Sequence, residues 1–275
     1  MKFKLVNKIL EKKYLQIINL FLSMVAIYYL YILFSELEVK VELKNLKYIL
    51  FVFPLFFTAN FLIAKGLSEL SNESEKKIII DAWFRSVLGK YIPFKIGIPL
   101  LRVGNIKKYA NSYSSKKIFK DLIIEQATII IATLALGSLY FLNNEFYQLL
   151  SILIIFIISL LCISFAKQYK NLLLISYIFV AESLVILGFL SFTELSYKVL
   201  HLEIVLGFIF SASLSLLFIG APAGVGIREY IGISLLTSNY ELNFVLELLL
   251  LFRLLLVCTD LFSYIFYILF KKLRS

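Results

Sequence analysis

Opposite charges stand side by side at Arg228 and Glu229, directly after the stretch Gly220-Ala221-Pro222-Ala223-Gly224-Val225-Gly226-Ile227. Long apolar runs flank this stretch on both sides. In hydrocarbon, an unsatisfied backbone group or a lone charge costs several kcal/mol, so broken backbone survives only where it lines a cavity or is buried in protein. A helix starting near Gly226 aims its N–H groups and the positive end of its dipole at an anion. Gly224 and Gly226 allow close backbone approach. A phosphate group fits both features.

Other ionisable residues lie inside apolar runs: Glu125, Glu182, Glu247, Arg253 and Asp260. Charges at such depth are costly and mark binding sites or ion paths. Glu182 is the best centred, about ten residues from either end of its run. Asp260 follows Arg253 by two helical turns (~10 Å) on nearly the same face, so both can look into one groove. Glu125, Glu182, Arg228, Glu229 and Arg253, with Gly224 and Gly226, are the candidate headgroup-binding set. The structural alternative is a buried ion pair tying helices together, for instance Arg253 with Glu229 or with Glu182.

A second interrupted segment runs from Trp83 to Arg102 and contains Pro93 and Pro99. Both prolines cannot sit inside one unbroken helix, because each removes a backbone donor and clashes with the preceding turn. Apolar positions there alternate with Arg85, Lys90, Lys95 and Arg102. That pattern suits an element in the headgroup region with snorkelling cations. It reads either as a surface helix anchoring a loop or as a half-inserted element whose Lys90, Lys95 and Arg102 meet lipid phosphates.

The elements that must position these residues are membrane spans. The chain is 61% hydrophobic, with a mean hydropathy of +0.90, and its apolar residues come in blocks of about 20, enough to cross a ~30 Å hydrocarbon core. The expected spans are Tyr14–Phe34, Leu46–Gly66, Asp121–Leu142, Tyr147–Ala166, Leu172–Phe192, Leu200–Gly220 and Asn243–Phe270. A broken crossing over 222–240 brings the count to eight; the alternative there is a re-entrant loop that dips in and returns, which leaves the basic tail outside. The fold class is therefore an all-α polytopic bundle of about 7–8 spans in a single membrane domain. The first block is too long for a cleaved signal peptide and should stay as a helix. The two interrupted segments, each preceded by two spans and followed by one, point to an internal duplication over about 14–142 and 172–270.

Cations cluster at the N-terminus, over 67–120, at Lys167 and Lys170, and in the tail at Lys271, Lys272 and Arg274. The positive-inside rule puts all of these in the cytoplasm. The same placement accounts for the net charge of +10 without a nucleic-acid partner. Cys162 and Cys258 read as small hydrophobes, and the single histidine, His201, offers no metal cluster. No nucleotide-binding loop is visible, and no cofactor or metal is expected.

Three elements resemble the lysylphosphatidylglycerol synthase transmembrane region, or flippase-like domain, family. Gly89-Lys90-Tyr91-Ile92-Pro93-Phe94-Lys95-Ile96-Gly97 resembles the family's G-R-Y-I-P-G-K-x-G, with Phe94 in place of the second glycine. Glu125 stands where the family has Glu-Arg, with Gln126 replacing the arginine. Pro222 to Glu229 resembles P-G-G-L-G-V-R-E, with Ala223 in place of a glycine, and Arg253 falls where the family has an arginine in its final helix. The resemblance implies a multi-pass inner-membrane protein, in some relatives a flippase for aminoacylated phosphatidylglycerol and in others a component of glycolipid pathways. In the synthases a separate soluble domain carries aminoacyl transfer; without one, the chain is not expected to make lysyl-lipid alone.

The function expected is a translocase of a phospholipid or lipid-linked glycan in cell-envelope biogenesis, with membrane lipids as partners. The alternatives are a non-catalytic partner of an envelope polysaccharide pathway and a polyprenyl-phosphate-dependent glycosyltransferase. Against the latter, no DxD-type acidic pair is visible, and Asp81 and Asp121 look like loop or cap residues.

Overall fold

A computed structural model describes residues 47–72, 75–91, 97–109, 114–142, 144–165, 168–197, 202–217 and 227–273. The expected span Tyr14–Phe34 and the candidate residues Lys95, Gly224 and Gly226 lie outside the described residues. All regular structure among the described residues is helical: α1 (Lys47–Glu69), α2 (Lys76–Ser86), a 3₁₀ turn (Val87–Tyr91), α3 (Gly97–Tyr109), α4 (Ser115–Gly137) with a second 3₁₀ turn (Ser138–Phe141), α5 (Glu145–Phe165), α6 (Lys170–Tyr197), α7 (Leu202–Leu216), α8 (Ile227–Leu236) and α9 (Leu242–Leu273).

Five segments are long and apolar enough to cross a membrane: Leu50–Glu69, Lys116–Phe141, Glu145–Phe165, Lys170–Tyr197 and Leu242–Leu269. The protein is a multi-pass helical membrane protein. These segments coincide with five of the expected spans. The expected span Leu200–Gly220 is represented by α7, whose 15 residues reach only about 22 Å.

Each end of the bundle has its own chemistry. At one end, Lys76 bridges to Glu69 at 2.5 Å and the Lys170 ammonium donates to the Ser71 carbonyl at 3.0 Å. This cationic end gathers the close of α1 and the starts of α2 and α6. At the opposite end, Tyr197 donates to Glu247 at 2.7 Å, and Asn239 and Tyr240 both donate to Glu203. Tyr140 donates to the Leu235 carbonyl at 2.9 Å, which brings the close of α4 to the same acidic end.

Helix α6 is the hub, packed against α1, α4, α5 and α7. Two glycines set its spacing from α1. A Cβ on Gly188 would lie 2.6 Å from the Phe56 ring, and one on Gly66 would lie 2.8 Å from Tyr177 Cβ. Small residues at such crossings let backbones approach where lipid supplies no hydrophobic drive. Hydroxyls within the apolar helices are satisfied locally; Ser183, for example, donates to the Phe179 carbonyl at 2.8 Å.

Two pairs of short helices enter this frame from opposite ends. The α2–α3 arm starts and finishes at the cationic end: Ser86 meets Arg102, and a Cβ on Gly89 would sit 2.6 Å from the Gly97 carbonyl carbon. Pro99 falls in the first turn of α3, where a missing N–H costs no helical bond. The α7–α8 arm starts and finishes at the acidic end: Gly207 faces Leu236, Gly232 faces Ser211, and Asn239 returns to Glu203. Helix α9 then runs back alongside α1, with Phe262 on Phe53, Ser263 on Asn60 and Phe266 on Phe57.

The surface-helix alternative for 83–102 is not what forms. Phe84, Leu88 and Leu101 are fully buried, as is Arg102. Arg102 does not snorkel as expected, because the carboxylate of Glu125 meets it inside the protein. Asp81, expected as a loop or cap residue, is buried within α2 and accepts from Arg85 one turn later.

Candidate functional site

The tips of the two arms converge on α9. The 3₁₀ turn that ends α2 carries Lys90 and Tyr91. Lys90 forms an ion pair with Asp260, and the Tyr91 hydroxyl donates to the same carboxylate at 2.6 Å. From the other side, α8 begins at Ile227 and so presents Arg228 and Glu229 in its first turn. Glu229 pairs with Arg253 of α9. The Arg228 guanidinium lies 5.4 Å from the centre of the Phe208 ring on α7, within cation–π range. Tyr91 feels the charges of Arg228 and Arg253 as well as that of Asp260, so both tips share one electrostatic neighbourhood.

This neighbourhood lies deep in the bundle. Arg253 stands 11 residues past the start of α9 at Leu242 (253 − 242), roughly 16 Å along the helix axis. Asp260 lies seven residues further on. The two therefore flank the middle of the apolar segment Leu242–Leu269. Glu182, buried near the middle of α6, feels the Lys90 ammonium. Three cations (Lys90, Arg228, Arg253) thus share the region with three carboxylates (Glu182, Glu229, Asp260). Such a set can hold an anionic group and exchange ion-pair partners with it.

Glu125 and Arg102 form a separate, closed centre between α3 and α4. They are 1% and 2% exposed and are ion-paired to each other. The Trp83 indole N–H donates to Glu125 at 2.8 Å, and Arg102 Nε–H donates to Ser86 at 3.0 Å. The Arg102 guanidinium also lies 5.8 Å from the Trp83 ring centre.

The structure thus places Arg228, Glu229, Arg253, Glu182 and Lys90 in one region, and Glu125 and Arg102 in another. Asp260 is recognisable in the sequence as an interior charge, but nothing there ties it to Lys90. Trp83 and Tyr91 stand in the interrupted segment but were not among the candidate site residues. The available signal was their position: each is an aromatic hydrogen-bond donor within the proline-interrupted segment, and buried donors of that kind seek acceptors. Among the described residues, no group of three or more His, Cys, Asp or Glu side chains is placed to hold a metal ion.

Fold and site define a class: a multi-pass helical bundle with two inserted arms that meet at buried charges. No family model, curated protein or solved structure matches the chain.

Proposed function

We propose that the protein is a flippase-like translocase of a phospholipid or lipid-linked glycan in the cell envelope. Its charged cluster shelters the phosphate-bearing headgroup while the acyl or prenyl chains stay in the bilayer. The observation that carries this reading is the meeting of two arms from opposite ends at Lys90, Tyr91, Arg228, Glu229, Arg253 and Asp260. A site reached by one arm from each side is what alternating access needs, and inverted repeats around a midplane site are a recurring transporter plan.

The arms fit such a duplication. In one half, α1 runs toward the cationic end, an arm enters from that end, and α4 leaves it. In the other, α6 runs toward the acidic end, an arm enters from there, and α9 leaves it. With the expected span Tyr14–Phe34, the crossings are that span, α1, α4, α5, α6 and α9, six in all; α7 and α8 enter from the acidic end and return to it, in place of the broken crossing expected over 222–240. The positive-inside rule assigns the cationic end to the cytoplasm of the inner (plasma) membrane. The expected span Tyr14–Phe34 ahead of α1 puts the N-terminus there too.

Reconstitution tests this directly. Purified protein in liposomes should accelerate leaflet exchange of a fluorescent phosphatidylglycerol or of a fluorescent polyprenyl-phosphate lipid, and the preferred probe identifies the source of the phosphate. Arg228→Ala and Glu229→Ala should abolish the acceleration. Absence of exchange with both probes defeats the proposal.

A further inference from the structure

Glu182 has no hydrogen bond or ion pair among the described residues, unlike the other two carboxylates of the cluster, Glu229 and Asp260. It is only 8% exposed. The cation it feels is Lys90, which is already engaged by Asp260. Neighbouring elements offer little else. Helix α1 has no ionisable residue between Tyr48 and Lys65, α5 none between Tyr147 and Cys162, and α7 none after Glu203. The Glu125 carboxylate of α4 is committed to Arg102. What remains is Arg228 and Glu229 of α8, Arg253, Cys258 and Asp260 of α9, and Lys90 and Tyr91 of the turn.

The charge balance of this set has a consequence for any anion that enters. With Lys90, Arg228, Arg253, Glu182, Glu229 and Asp260 all ionised, three positive charges offset three negative ones. A phosphodiester headgroup adds one negative charge, and a net charge in a water-poor interior is costly. Protonating the carboxylate that lacks a partner restores neutrality without breaking the Lys90–Asp260 or Glu229–Arg253 pair. We propose that Glu182 takes up a proton from solution when an anionic headgroup binds, so that lipid anion and proton cross as a neutral pair. A transmembrane proton gradient would then set the direction of transport. This rests on the translocase reading and adds its coupling ion.

The test uses the full-length protein in detergent and a weakly buffered solution containing a pH-indicating dye. Dihexanoyl-phosphatidylglycerol is the probe, and net-neutral dihexanoyl-phosphatidylcholine is the control. Wild type should take up about one proton per bound phosphatidylglycerol and none with phosphatidylcholine. The E182Q variant, whose side chain is neutral as the protonated carboxyl would be, should show no proton uptake per phosphatidylglycerol bound, whatever its affinity. Binding without proton uptake in wild type overturns the inference and leaves the translocase reading standing. Undiminished uptake in E182Q overturns it as well, by placing the proton elsewhere. No binding in wild type, together with no leaflet exchange, removes both. If E182Q does not fold, the wild-type infrared difference spectrum decides: a protonated-carboxyl band gained on lipid binding supports the inference, and its absence overturns it.

Discussion

Arg102–Glu125 and Glu229–Arg253 are nearly the same device built twice with the signs exchanged. Each joins a short helix that follows a proline- and glycine-bearing break to the next long helix. The partners are 23 residues apart in the first case and 24 in the second (125 − 102; 253 − 229). In the first pair the short helix carries the arginine; in the second it carries the glutamate. The surroundings differ more than the pairs do. Trp83 and Ser86 complete the hydrogen bonding around Arg102–Glu125, and both charged partners are sealed from the surface. The glutamate of the second pair keeps 18% of its side chain exposed. Beside it stand a second arginine and the Lys90–Asp260 pair. One pair is a closed brace, while the other has neighbours with which a guest can exchange. An ion pair inside a membrane protein is thus not a site by itself; the groups around it decide.

The sharpest way to break this contrast is to remove one partner of the brace. Arg102→Ala should cost about 3–5 kcal/mol, because it strands a buried carboxylate. It should appear as a large fall in melting temperature in detergent, with the double change R102M/E125L recovering most of the loss. An Arg102→Ala protein as stable as wild type would refute the structural role.

Reversing charges separates the two pairs next. E229R/R253E should fold but lose leaflet exchange by about tenfold or more, the worth of one charge-assisted hydrogen bond. R102E/E125R, if it folds, should retain exchange. Equal exchange losses in two folded variants would abolish the distinction.

Gly89 offers a smaller lever. Its Cβ would press on the backbone of Gly97 and Ile98, at 2.6 and 2.7 Å. Gly89→Ala should therefore force the first arm open at a cost of about 1–3 kcal/mol and weaken exchange by displacing Lys90. Unchanged stability and unchanged exchange would show that the closure is not needed.

The smallest effect belongs to the acidic end, away from both pairs. Burial, together with the bond to Glu203, holds the Tyr240 phenol above its usual range. The neutral phenol is therefore favoured in the folded state. Its contribution is complete below about pH 10, where the unfolded phenol ionises, and fades as pH rises further. Tyr240→Phe should flatten a shallow alkaline decline in thermal stability and leave exchange untouched. An identical alkaline limb in wild type and Y240F would show that other groups produce it.

Much of this was legible before any tertiary structure. Hydropathy located the five long segments within a few residues, because a ~30 Å slab imposes its length on every crossing. Pro93 and the Gly220–Gly226 stretch marked breaks between helices, and α3 and α8 begin just past them, with Pro99 in the first turn of α3. Interior charges announced themselves by their cost. Their pairing was legible only for Arg253, whose partner Glu229 was one of two candidates. Arg102, read as an interfacial cation, is the mate of Glu125. Asp260 answers Lys90 from 170 residues away (260 − 90). Arg253 takes Glu229 rather than Glu182.

The chain itself, then, determined an all-helical membrane protein with two broken segments and a set of costly buried charges, since length, hydropathy and proline chemistry are local properties. Which charge meets which, which pair is sealed and which carboxylate is left over were decided only when two arms packed in from opposite ends. Electrostatic partnership depends on distance in space, and no spacing along the chain encodes it.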